Sequence, residues 1–375
     1  MEKRLSRRSL LLGGAALFGA GMLSGLPGVR PGGMSRAFAA AARPDYIIRA
    51  NTNENPYGPS EVALRAIDAA LVDTNKYGGI TNELKAQLAE IEQIPVDHIM
   101  VGTGSGEILN IGGLIANQGS GSIVVPDPTF DTLPRYAERQ GVEVIRVPVN
   151  ARMDIDLGAI ASAIKPDTRM VYLCNPNNPI PAIIEKNALR DFVLEVARDR
   201  LVFIDEAYYE YVDNPDYSSM LQLVRDGHRN IIISRTASKI HGIAGLRIGF
   251  GYSHPDTIKT MEELQTGSLN ILGQHAALAS YRDQDFQAFS KAKNRESLAI
   301  VETMLAARGI PHIKSNTNFS FFKTGRDISE VSALMREQGI LIGRPFPPFR
   351  DWARVSMQKP EDMAYFVTVY NEFFG

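Results

Sequence analysis

Short runs of branched and aromatic apolar residues recur through the middle of the chain: Ile123-Val-Val125, Val144-Ile145, Val171-Tyr-Leu173, Val202-Phe-Ile204, Ile231-Ile-Ile233 and Ile248-Gly-Phe250. Each is too short for an amphipathic helix and too uniformly apolar for a strand with one wet face. They alternate with stretches of helical length. Parallel strands need a long crossover, usually a helix, so the pattern predicts an α/β fold with a mostly parallel sheet. From about Gln274 the pattern changes. A long helical stretch, roughly Phe286 to Ala307, leads to strand-like pieces around Phe319–Phe322 and Ala353–Met357. This reads as a small α+β domain, completed by the segment before Tyr77.

Ligands of open α/β sheets sit at the carboxyl ends of the strands. In Leu201-Val-Phe-Ile-Asp205-Glu-Ala-Tyr208, four apolar residues run into an acid. A carboxylate there can pair with a protonated pyridine nitrogen, and Tyr208 could donate to the ring's phenolic oxygen. The same acid could simply cap the next helix. Earlier, Met170-Val-Tyr-Leu-Cys-Asn175-Pro-Asn-Asn178-Pro179 runs a strand into an Asn/Pro turn. Such a turn fixes the backbone and offers side-chain amides; Asn178 could reach the same oxygen. Later comes Ser234-Arg-Thr236-Ala-Ser238-Lys239-Ile-His-Gly-Ile-Ala-Gly-Leu-Arg247. A lysine in a hydroxyl-rich turn, followed by an arginine, suits covalent capture of a phosphorylated aldehyde: the lysine makes a Schiff base, and Thr236, Ser238 and Arg247 take the phosphate. A surface loop is the bland alternative.

Gly104-Ser105-Gly106 follows the strand His98-Ile-Met-Val101 and opens a helix. Backbone N–H groups at a helix start bind phosphate, and glycine allows close approach. Read by itself, the segment is equally an ordinary strand-to-helix turn.

Taken together the chain resembles the fold-type I pyridoxal-phosphate aminotransferases, and within them the histidinol-phosphate aminotransferase family. The motifs, in order, are Asn53-Glu-Asn-Pro-Tyr57-Gly58, Tyr77, Gly102-Thr-Gly-Ser-Gly-Glu107, Pro126-Asp-Pro-Thr-Phe130, Asn175-Pro-Asn-Asn-Pro179, Asp205-Glu-Ala-Tyr208, Ser238-Lys239 with Arg247, and Ala353-Arg354-Val-Ser356. The match runs from Asn51 to the C-terminus. It implies a large domain at 77–273 that binds pyridoxal 5′-phosphate, and a small domain at 274–375 joined by residues 43–76. It makes Phe130 the ring stacked on the cofactor. It makes Tyr77 a residue that reaches the phosphate of a neighbouring subunit, so the active unit is a homodimer. Arg354 grips the substrate's α-carboxylate, a bidentate task that lysine cannot match. Arg344 falls near the substrate's far end, and Tyr57 is a further substrate-binding residue. Lys239 moves the α-proton, and Asp205 keeps the ring nitrogen protonated. The partners implied are an amino acid and a 2-keto acid.

One departure stands out. The family follows the double Asn-Pro with Thr-Gly, whereas this chain has Ile180-Pro181. Proline fixes φ and removes an N–H, so the loop beside the cofactor must differ, and with it the choice of substrate. Three readings follow: a transaminase first, a lyase (decarboxylase) or racemase on the same cofactor second, and a non-catalytic amino-acid-binding protein third.

Residues 1–42 lie outside this resemblance. Ser6-Arg7-Arg8-Ser9-Leu10-Leu11 is a twin-arginine pattern, the run from Leu10 to Leu23 is apolar and broken by glycines, and Ala37-Phe-Ala39 has the form of a cleavage site. The apolar run is shorter than the ~20 residues of a membrane span. Residues 1–39 therefore read as a Tat signal peptide, delivering a folded, cofactor-loaded protein to the bacterial periplasm through the Tat machinery, with no stable membrane insertion after cleavage. Of the 40 basic and 42 acidic residues, six and one lie in 1–39, leaving 34 and 41 and a formal charge of −7. That argues against nucleic acid as a partner. The single cysteine, Cys174, excludes an internal disulfide, and the scattered histidines suggest no metal site.

Overall fold

The computed structural model describes residues 42–119 and 121–374; the twin-arginine segment lies outside them. Seven strands form the main sheet: β2 (Ile99–Gly102), β3 (Ser122–Asp127), β4 (Glu143–Pro148), β5 (Thr168–Cys174), β6 (Leu201–Asp205), β7 (Ile231–Thr236) and β8 (Gly249–Tyr252), in the order β2-β8-β7-β6-β5-β3-β4. β3 to β7 run parallel to one another, as the alternating pattern predicts; β8 is antiparallel to both β7 and β2. Every residue of β7 and β8 is buried, and β5 and β6 are buried except at Arg169 and Leu201. Helices cover both faces and produce two apolar clusters. One gathers Val124, Val171, Ile204 and Ile233; the other gathers Ile123, Tyr172, Phe203 and Ile232. Adjacent strand residues thus pack on opposite faces, as the period of two requires.

The other strands are β1 (Ile48–Ala50), β9 (His312–Ile313), β10 (Phe319–Lys323), β11 (Ile340–Ile342) and β12 (Trp352–Ser356). β12-β10-β9 form an antiparallel sheet, and β1 pairs parallel with β11. The long helix forecast near Phe286–Ala307 spans Gln284–Ala307, capped by Asp283, whose side chain accepts from Phe286 N. It packs with β10, β12 and the helix Pro360–Phe374 around a third cluster that includes Val301, Phe322, Val355 and Phe366.

The unusual Ile180 is fully buried against Phe321, Phe346 and Trp352. Pro181 needs no N–H there; its carbonyl accepts from Asn316 N at 3.1 Å. The departure is absorbed as packing between the turn after β5 and the β9-β10-β12 sheet, and Asn178 keeps its hydrogen bond to Tyr208.

Candidate active site

The carboxyl ends of β5, β6 and β7 open into a cleft of about 760 Å³, closed opposite by residues 51–54 and the loop between β11 and β12. Asp205, the last residue of β6, is buried there. Ser234, its register partner on β7, donates to its Oδ1 at 2.7 Å. Desolvation pushes the Asp205 carboxyl up to about 6, against the Ser234 hydroxyl and the Lys239 ammonium. The adjacent Glu206 is engaged elsewhere: Arg235 donates to it at 3.0 and 3.1 Å and to Glu92 at 2.7 Å. Asp205 is therefore the one carboxylate at the end of β6 that faces the cleft.

Lys239 follows β7 in a turn built by its neighbours. Thr236 Oγ1 donates to Ser238 Oγ at 2.9 Å, and Ser238 N donates back to Thr236 Oγ1 at 3.2 Å. Gly242, at φ +68°, lets the turn pass the Gly58 carbonyl; a Cβ there would sit 2.0 Å from that oxygen. The Lys239 ammonium donates only a long hydrogen bond, 3.4 Å, to Asn53 O, and lies 5.4 Å from the Tyr208 ring centroid. Desolvation lowers its pKa to about 8; Arg354 pushes the same way and Asp205 opposes.

The Tyr208 hydroxyl accepts from Asn53 Nδ2 at 2.9 Å and from Asn178 Nδ2 at 3.3 Å. Burial holds its phenol well above the usual range. Arg354, on β12, donates to Asn178 Oδ1 at 2.8 Å and to Asn51 O at 2.7 Å. Its Nε is buried without a hydrogen-bond partner. Desolvation lowers the guanidinium to about 10, with Arg344 adding repulsion.

The remaining wall has the features of an anion cradle. Gly104 caps the helix Ser105–Ala116 at φ +78°, where a Cβ would stand 2.1 Å from Arg247 Nη2. Ser105, Gly106, Thr236, Ser238 and Arg247 all face the cleft. Arg247 Nη1 donates to Ser238 Oγ at 3.3 Å and to Ala244 O at 2.9 Å. A helix start, two hydroxyls and an arginine form a site for a phosphate group.

Of the residues singled out from sequence, Ser105, Gly106, Phe130, Asn178, Asp205, Tyr208, Thr236, Ser238, Lys239, Arg247, Arg344 and Arg354 line this one cleft. Gly104 stands directly behind Arg247. Two tyrosines are elsewhere. Tyr57 packs edge-on against Phe289 at 4.9 Å and borders a separate small cavity. Tyr77 is fully exposed, beside Thr74 and residues 268–272. Sequence reading assigned no role to Asn51, Asn53, Asp131, Arg135 or Arg336, all of which border the cleft. Asn53 opens the Asn53–Gly58 motif, a local mark; Arg135 and Arg336 sit on the helices Thr132–Arg139 and Ile328–Glu337, where no local pattern distinguishes them from other arginines. Among the described residues no His/Cys/Asp/Glu group is arranged to hold a metal ion.

The chain matches the family model described as aminotransferase class I and II over residues 46–369. It belongs to that family. This aminotransferase is 33% identical over 321 residues to a histidinol-phosphate aminotransferase of Limosilactobacillus fermentum, covering 84% of this chain and 88% of the relative. It is 36% identical over 299 residues to that of Moorella thermoacetica, covering 79% and 77%. Among solved structures, the histidinol-phosphate aminotransferase of Sinorhizobium meliloti in complex with pyridoxal-5′-phosphate aligns with a TM-score of 0.80 at 26% identity, covering 87% and 92%.

The cleft fits pyridoxal phosphate on its own chemistry. A poorly hydrogen-bonded, desolvated amine faces a buried carboxylate. The phosphate cradle lies to one side, and two side-chain amides and a phenol converge on a shared point. Lys239 would hold the aldehyde carbon, Asp205 the ring nitrogen, Arg247 and the helix start the phosphate, and Phe130 would stack on the ring.

Proposed function

We propose that this pyridoxal-phosphate-dependent aminotransferase works as an exported homodimer on a free amino acid or amino-acid derivative. The observation that carries the transamination reading is the convergence of a depressed Lys239 amine, the buried Asp205 and the half-satisfied Arg354 in one cleft. The bound cofactor supplies an electron sink that makes the substrate's α-proton removable. The protein does the rest. Arg354, with its free Nε edge, orients the α-carboxylate. Lys239, partly neutral near pH 8, would take the α-proton and deliver it to the cofactor's aldehyde carbon. Asp205 would hold positive charge on the ring nitrogen, and Tyr208 with Asn178 would hold the phenolic oxygen. Asp205 is buried and Lys239 half-buried, which limits the water that reaches them.

Export is supported by Arg7-Arg8, the glycine-broken apolar run and Ala37-Phe-Ala39. Histidine biosynthesis is a cytoplasmic route, so histidinol phosphate fits an exported enzyme poorly even though relatives bear that name. The homodimer reading is supported by Tyr77, whose ring is unburied in the single chain, and by exposed Leu71 and Val72 nearby. A screen of amino donors against pooled 2-keto acids tests the reaction: donor-dependent conversion of the cofactor to its amine form is expected, and carbon dioxide release or racemisation without that conversion would replace transamination with the lyase or racemase reading. Cell fractionation tests location. Wild-type protein should be cleaved and periplasmic, and Arg7-Arg8→Lys-Lys should leave it uncleaved inside. Wild-type protein found uncleaved in the cytoplasm would overturn the export reading and restore histidinol phosphate.

A further inference from the structure

The mouth of the cleft holds a carboxylate where a substrate's far end would come. Asp131 directly follows Phe130, the residue placed against the cofactor ring. Its Oδ1 accepts from Arg135 Nη2 at 2.7 Å, and its Oδ2 stands 3.8 Å from Arg344 Nη2. Asp131 and Arg135 belong to the wall after β3, and Arg344 to the opposite wall after β11. One acid therefore pairs with Arg135 on its own wall and faces Arg344 across the opening. Arg336, on the helix Ile328–Glu337, also lines the cleft and has no ion-pair partner among the described residues. The Arg344 guanidinium lies 4.5 Å from the Phe346 ring centroid, and that of Arg354 lies 4.9 Å from the same ring. The α-carboxylate site and the mouth are thus neighbours, so a short substrate reaches both.

Any anion that bonds Arg344 enters the field of Asp131, because the guanidinium is already near that carboxylate. A single distal negative charge meets Arg344, Arg336 and Arg135 against one acid, so it is attracted, and Asp131 takes back part of that attraction. Coulomb energy scales with charge, so a second charge on the same group strengthens the pull of the arginines and doubles the repulsion from Asp131 that offsets it. The geometry points to Asp131 as a specificity-determining residue that cuts back the advantage the arginines at the mouth give to donors ending in a dianion such as a phosphate monoester, relative to donors with a neutral polar or singly charged far end. This deepens the transaminase reading and rests on it.

The test is equilibrium binding of three unreactive acids to the cofactor-loaded enzyme by calorimetry: butyrate, succinate and 3-phosphonopropionate, which carry no, one and two distal charges at about pH 8. In Asp131→Asn, phosphonopropionate should bind roughly fivefold to tenfold tighter per distal charge, relative to butyrate, which is the size of a unit-charge interaction near 4 Å in a wet site. Succinate should gain less. Asp131→Glu keeps the charge and should keep the wild-type order; Asp131→Ser provides a second neutral variant if the asparagine form folds poorly. Equal changes for all three acids, or none, would overturn the role of Asp131. Failure of the transaminase reading would look different: no amino donor would convert the wild-type cofactor, while the charge ranking in binding would persist.

Discussion

The amine of Lys239 should titrate about 2.5 units below an ordinary lysine, near 8 instead of 10.5. At ~1.4 kcal/mol per unit, burial and the Arg354 charge, net of the opposing Asp205, disfavour the ammonium by about 3 to 4 kcal/mol. At pH 7 roughly one lysine in ten is then neutral, against about one in three thousand for a free side chain, a gain of roughly 300-fold in nucleophile. The perturbation is to move that value by single substitutions. Arg354 lowers it, so Arg354→Met should move the midpoint up. Asp205 raises it, so Asp205→Asn should move it down. The assay mixes cofactor-free protein with pyridoxal phosphate across a pH series and follows growth of the visible absorbance band. The wild-type rate should rise with pH to a midpoint near 8, and it should fall further below about pH 6, where Asp205 becomes protonated and stops attracting the ring nitrogen's charge. A midpoint above 10 in the wild type, or one that Arg354→Met leaves in place, would refute the reasoning, because desolvation and the arginine would then not be setting the amine.

Three further outcomes follow from the same geometry. Lys239→Ala should abolish both covalent attachment and turnover; near wild-type activity would rule out a Schiff base at this residue. Gly104→Ala should raise the dissociation constant for pyridoxal phosphate by more than about tenfold, since it combines a strained positive φ with a clash against Arg247, a cost of order 1–3 kcal/mol; an unchanged constant in direct titration would remove this glycine from the phosphate site. Mixing Tyr77→Phe protein with Lys239→Ala protein should produce hybrid dimers with one intact site and recover activity above either parent, and sedimentation showing a fully active monomer would end the shared-site proposal.

Much of the central sheet was readable from the chain because its signals are local. Apolar runs such as Val202–Ile204, each followed by polar residues, mark strands and the edge where ligands sit. Gly104 before Ser105 marks a helix start, and Ser238-Lys239 with Arg247 mark one turn and its return. These patterns span few residues, so composition and spacing carry them. The antiparallel β8 was not legible in this way, since direction leaves no trace in apolar periodicity. Nor was the fate of Ile180, which depends on Phe321 and Trp352 being present to cover it. The closing half of the site is wholly tertiary. Asn53 reaches Tyr208 across 155 positions, Arg354 reaches Asn51 across 303, and Asp131 meets Arg344 only because the loops after β3 and β11 face each other. The sequence by itself determined the sheet, the lysine, its counter-carboxylate and the phosphate cradle. Tertiary structure alone decided which amides hold Tyr208, which edge of Arg354 is left open, and that an acid guards the mouth. Such contacts join distant segments through packing and desolvation, which act only once the chain has closed around the cleft.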